Sequence, residues 1–170
     1  MVVIYDKPII DAFNKVCALT DYSSHNDITK RHEFKKITIL NDKSLTKDVI
    51  SEVIQLLDKD YDYNKILYNE GKERLCDNCN TKCLATLYCE HCVRNYLKSK
   101  FSNWTSGNDD IDNLLQKCQI ETLAPDRIVE WIPYDNLRNV SYLTKGGCSE
   151  IYSAEWIEGD MKNEIIKKIH

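Results

Sequence analysis

No apolar run in this sequence approaches the roughly 20 residues needed to cross a bilayer, which argues against a membrane-spanning chain. The first ten residues have no basic lead, and Asp6, Lys7 and Pro8 break their apolar character, so no secretory signal is expected there. Internal repeats and low-complexity tracts are absent as well. So is an excess of positive charge. The formal net charge of −4 leaves no field over the whole molecule that would recruit nucleic acid or an acidic membrane. What remains is a chain of 170 residues, 42 % hydrophobic, enough for one ordinary domain or two small ones with a core. Eight cysteines without a secretory signal point to a reducing compartment. An intracellular, cytoplasmic protein is the expectation.

Several helices are legible. Pro8 to Leu19 carries Ile9, Ile10, Phe13, Val16 and Cys17 at helical spacing behind a capping Asp6. Asp21 to Lys36 is polar and aperiodic, and reads as loop or frayed helix in which His25 and His32 lie at the surface; Lys36 to Leu40 reads as a short strand. Thr46 caps a helix with the stripe Val49, Ile50, Val53, Ile54, Leu56 and Leu57, which continues through Tyr61, Tyr63 and Leu67 to a left-handed cap at Gly71. Further on, Asp109 or Asp110 caps a helix bearing Ile111, Leu114, Leu115 and Cys118, making Cys118 a core residue. Ile128 to Ile132 reads as a strand or a short helical turn before Pro133.

The densest chemistry lies between Leu75 and Val93, where Cys76, Cys79, Cys83, Cys89 and Cys92 fall close together. Two Cys-x-x-Cys pairs, Cys76/Cys79 and Cys89/Cys92, are spaced as metal knuckles, from which four thiolates converge on one tetrahedral ion. Structural zinc is the reading, in a ribbon-like or treble-clef-like module. A short hairpin through Leu84 to Tyr88 is expected to bring the pairs together. Cys83 and His91 are spare donors, either of which could replace one of the four. Four thiolates leave no position for water, so a catalytic role is not expected. After the second knuckle, Val93, Tyr96, Leu97 and Phe101 form one face of a helix. From Lys72 to Trp104 six basic side chains stand against three acidic ones, with Tyr88, Tyr96, Phe101 and Trp104 interleaved. A nucleic-acid-binding zinc module has such a pattern, but a solvated face over a small core is the favoured explanation, and nucleic acid is the less favoured partner.

A second informative stretch is Tyr142 to Trp156, YLTKGGCSEIYSAEW. Val140 to Thr144, a glycine turn at Lys145 to Gly147, and Glu150 to Trp156 read as strand, turn, strand. Glycines there let a backbone bend over polyphosphate, although a plain hairpin is the commoner use of such a turn.

This stretch resembles the start of a protein kinase domain, in which a glycine-rich loop of pattern GxGxxGxV is followed by YxAxW, as in tyrosine-kinase-like sequences. EWIPYDNLRNV, NWTSGN, IDNLLQ and the Cys-x-x-C segment resemble those of a large fungal group of kinase-like proteins, over Asp60 to Trp156. The resemblance implies ATP binding and protein phosphorylation. It places Leu143 over the adenine, Gly146 at the second glycine with Lys145 and Gly147 beside it in the nucleotide loop, and Ile151 at the valine that closes on the base. Thr144 and Ser149 stand where the first and third glycines belong, and Cys148 replaces a tip aromatic. EIIKKI, from Glu164 to Ile169, is similar to the strand that carries the phosphate-pairing lysine, which makes Lys167 its counterpart or else a solvated lysine beside Lys168. No HRD or DFG segment follows, so phosphotransfer by this chain alone is not expected.

The expected fold class is therefore α+β: a helical region over 1–71, a Cys-rich module over 72–106, a connecting helix and linker over 107–139, and from 140 to 170 the first strands of a kinase-like small lobe. Expected ligands are structural zinc and, by resemblance, ATP. The expected partner is another protein or the remainder of a kinase domain. The rival reading is a zinc-dependent module for binding protein or nucleic acid.

Overall fold

The computed structural model describes residues 5–157; the EIIKKI segment and Lys167 lie outside the described residues. The chain is α+β, with five α-helices and two small antiparallel sheets among the described residues. It packs as two units, Met1–Cys92 and Val93–His170, a division that falls inside the stretch 72–106. No helix among the described residues is long and apolar enough to cross a membrane.

In the first unit, α1 (Lys7–Leu19), α2 (Ile28–Leu40) and α3 (Lys47–Tyr68) form a three-helix core. Asp6 precedes α1 but its side chain makes no capping hydrogen bond, and Pro8 lies in the first turn, where a missing N–H costs nothing. α1 buries Ile9, Ala12 and Val16 against Ile39 of α2 and Val53 and Leu57 of α3. α3 is one continuous helix. Thr46 Oγ1 accepts the Val49 N–H at its start, and the left-handed residue at its end is Asn69, φ 52°, in place of the expected Gly71. Gly71 is instead the next positive-φ residue, at 95°.

α2 decides one expectation and corrects another, since it makes most of the stretch read as loop or frayed helix helical and occupies all of the segment read as a strand. Its start is set by Asp27, whose Oδ1 accepts the Thr29 and Lys30 N–H groups at 2.7 and 3.2 Å. Its inward face is Ile28, Lys35 and Ile39. The hydrocarbon stem of Lys35 does the work of an apolar side chain, so the stripe is invisible to a count of apolar letters. His32 is likewise not a surface residue: its side chain is 13 % exposed, stacks on Tyr61 at 4.2 Å and points Nε2 at Asp58, 2.9 Å away.

After α3 come two short paired strands, β1 (Arg74–Leu75) and β2 (Lys82–Cys83), and then α4 (Glu90–Lys100), which opens at the second knuckle as expected.

In the second unit, α5 (Asp109–Glu121) is capped by Asn108, whose Oδ1 accepts the Asp110 and Ile111 N–H groups; neither Asp109 nor Asp110 is the cap. Ile111 and Leu114 stay exposed, and Cys118 is half-buried. The buried residue of α5 is Gln119, whose amide donates to the Val129 carbonyl at 2.7 Å. The segment 128–132 is neither strand nor helix. Trp104 and Trp131 stack at 5.9 Å. The last described elements are β3 (Leu137–Lys145) and β4 (Glu150–Trp156), an antiparallel hairpin running from Leu137↔Trp156 to Lys145↔Glu150. One register shift lies between Arg138 and Ser141, where Asn139 takes φ 52°.

Candidate metal centre

The first knuckle occupies the turn of the β1–β2 hairpin. Cys76 donates its N–H to the Thr81 carbonyl, and its own carbonyl accepts the Asn80 N–H at 2.8 Å. Asn80 sits at φ 53°, the left-handed position that closes so tight a turn. The second knuckle places Cys89 just before α4 and Cys92 in its first turn.

The four sulfurs converge, all within 4.8 Å of one another. Cys76 Sγ lies 3.7 Å from Cys92 Sγ, and Cys79 Sγ lies 3.7 Å from Cys89 Sγ. A zinc–sulfur bond of about 2.3 Å implies a tetrahedral edge of about 3.8 Å. The two spacings are therefore those of two opposite edges of a tetrahedron, and each edge joins one cysteine from each knuckle. The soft, all-sulfur donor set is compatible with structural zinc.

The surroundings of the two knuckles differ. The N–H of Cys79, and then that of Asn78, hold the Cys76 thiol below its ordinary value. Thr81, first through its hydroxyl and then through its N–H, draws Cys79 down to about 6. Burial pushes Cys89 and Cys92 up, with the Asn78 amide, 3.4 Å from the Cys92 sulfur, opposing it at Cys92. The first knuckle thus presents the sulfurs readier to ionise.

The segment Leu84–Tyr88, which delivers Cys89, is not the expected hairpin; the hairpin lies around the first knuckle instead. Charged side chains hold this segment. Asp62 of α3, fully buried, accepts the Thr86 N–H at 2.7 Å, the Thr86 hydroxyl at 2.6 Å and the Leu87 N–H at 2.7 Å. Arg74 of β1 donates to the Ala85 and Tyr88 carbonyls at 2.8 and 2.6 Å. Glu90 Oε1 accepts the Leu84 N–H at 2.8 Å. Short backbone segments with no regular ladder must satisfy their polar groups in some other way, and here three ionic side chains do so. Asp62 carried no sequence signal, because nothing in the chain ties position 62 to position 86. Arg74 was visible only as one basic residue among six.

Of the spare donors, His91 turns Nε2 to the Lys82 carbonyl at 3.0 Å and stays out of the sulfur cluster. Cys83 is buried and lies with Cys89 and Glu90 in a second group of donors. Cys17, Cys118 and Cys148 join neither group.

The residues assigned to a nucleotide lie on the β3–β4 hairpin. Leu143 and Ile151 are 62 and 48 % exposed. Lys145 pairs with Glu150 at 3.8 Å. The Gly146 N–H donates to the Ser149 carbonyl at 2.7 Å and closes the turn. Neither Gly146 nor Gly147 takes a positive φ, so this turn does not use the left-handed freedom that glycine offers.

No protein-family model, curated protein or solved structure matches the chain.

Proposed function

We propose that this chain is a zinc-stapled interaction module: a structural ion held by Cys76, Cys79, Cys89 and Cys92 fixes a small knuckle domain on a helical core, and the assembled surface serves a protein partner. The observation that carries this reading is the pair of opposite 3.7 Å sulfur edges. Cobalt(II) added to the metal-free chain should give the intense thiolate-to-metal absorption of a tetrahedral four-sulfur site. Chelation should then expose the amides of 74–92 to hydrogen exchange. A metal-free chain whose 74–92 amides stay fully protected would sink the proposal.

A second reading concerns the hairpin. Its two strands flank the glycine turn where a kinase-like small lobe has its first two, and both of its faces are largely exposed, as in a sheet made to receive further strands. On this reading Leu143, Lys145, Gly146, Gly147 and Ile151 contact ATP, and Lys167 pairs with its phosphates. At millimolar concentration a non-hydrolysable ATP analogue should slow exchange of the amides around Gly146. Unchanged exchange there would leave the interaction module as the only reading.

A further inference from the structure

Beside the four-sulfur site lies a second convergence of donors. Cys83, Cys89 and Glu90 each offer one ligand atom within 4.8 Å of the other two. They are 1, 1 and 8 % exposed. Glu90 supplies an independent sign of a ligand: its Oε1 accepts the Leu84 N–H, while its Oε2 is buried with no hydrogen-bond partner. A buried carboxylate oxygen left unpaired is uncommon in folded proteins and calls for a positive partner.

Two cations act on this group, and they are the competing explanation. Lys65 feels both Glu90 and Cys83, and Arg74 acts on Cys83. Arg74, however, is committed to the Ala85 and Tyr88 carbonyls, and neither cation donates to Oε2. Lys65 sits over the Tyr61 ring, with Nζ 5.1 Å from its centre.

We propose that Cys83, Glu90 and a bridging Cys89 bind a second zinc ion next to the first, so that Cys89 belongs to both. The inference rests on the four-sulfur reading, because the bridge exists only if Cys89 already ligates an ion. The chemistry balances without any oxidant: the Cys83 S–H bond breaks, its proton leaves to solvent, and a sulfur–zinc bond forms. The second ion brings as much positive charge as the Cys83 thiolate and the Glu90 carboxylate add negative charge. The pair of ions with its five thiolates and one carboxylate then keeps the double negative charge of a single zinc tetrathiolate, with Lys65 and Arg74 beside Cys83. Three protein donors leave the fourth tetrahedral position to solvent, unlike the closed first site.

The test is an ion count on the whole chain. Reduced metal-free protein, reconstituted with zinc and freed of excess, should carry two ions by native mass spectrometry. The cobalt form should show the magnetic coupling of two ions sharing a sulfur. Cys83→Ala should fall to one ion and keep the four-sulfur cobalt absorption. A count of one in the unaltered chain overturns the second site and leaves the first standing, whereas a count of none overturns both. A count of two that persists in Cys83→Ala also overturns it, since the second ion then lies elsewhere. Should that variant fail to fold, the count and coupling in the unaltered chain decide.

Discussion

Asp62 and Thr86 are bonded twice through one oxygen: Asp62 Oδ1 takes both the Thr86 N–H, at 2.7 Å, and the Thr86 hydroxyl, at 2.6 Å. With the Leu87 N–H on Oδ2, a fully buried carboxylate ties α3 to the segment that carries the second knuckle. Asp62→Ala strands two backbone donors in the interior. The expected cost is about 2–4 kcal/mol, from charged hydrogen bonds lost and donors left unpaired. Urea unfolding of the variant measures it, and faster exchange at the Thr86 and Leu87 amides locates it.

Leu57 has no exposed surface and sits among Ile9, Val16, Ile39 and Val53. Leu57→Ala should destabilise the first unit by about 2–5 kcal/mol, the transfer loss plus the cavity left behind. Leu114 is 60 % exposed, and Leu114→Ala should stay within about 0.5 kcal/mol. Equal effects in the two variants would show that Leu57 does not lie in the helical core.

His32 gives the first unit a pH dependence. Burial lowers its pKa, and the nearby Asp58 carboxylate only partly restores it. A histidine with a lowered folded pKa binds its proton more readily in the unfolded chain. Its neutral form therefore contributes stability above the unfolded value of about 6.5, and that contribution is lost as pH falls from there through the folded value. Thermal unfolding between pH 7.5 and 5 should show falling stability, with a shallower fall in His32→Gln. Identical slopes would remove His32 as the cause.

Gly71 is a position where an added side chain is both strained and crowded. Its φ is 95°, and an added Cβ would stand 3.0 Å from Lys65 Cε. Lys65 is 1 % exposed, so its chain has little room to move aside. Gly71→Ala should lower stability by about 1–2 kcal/mol through backbone strain and crowding together. A melting temperature unchanged from the parent would contradict this placement.

The parts of the fold legible in the sequence are those where one side-chain type does one job. The stripe from Val49 to Leu57 marks α3, and the Cys-x-x-Cys spacing marks both knuckles, because a metal turn admits few alternatives. The strand, turn and strand of 140–156 are legible from alternation on either side of a turn, although β3 begins earlier, at Leu137. α2 escaped because Lys35 fills a core position with a charged residue, and because His32 packs as an aromatic ring. The segment 84–88 escaped because its support comes from Asp62, Arg74 and Glu90, whose partners are backbone atoms without a sequence signature. Asn108 is masked by the two aspartates that follow it, which are equally good capping types, although its own side chain reaches the first free N–H groups of α5.

The opposite sulfur edges have a consequence for the chain as a polymer. With an ion in place, Cys76 and Cys92 become a covalent-like crosslink across 16 positions. A loop of that size closed by a disulfide is worth about 3 kcal/mol in unfolded-state entropy, and a metal bridge restricts the unfolded chain in the same way. Unlike a disulfide, it withstands the thiol reductants that would open an S–S bond, and it yields to acid or to a chelator instead.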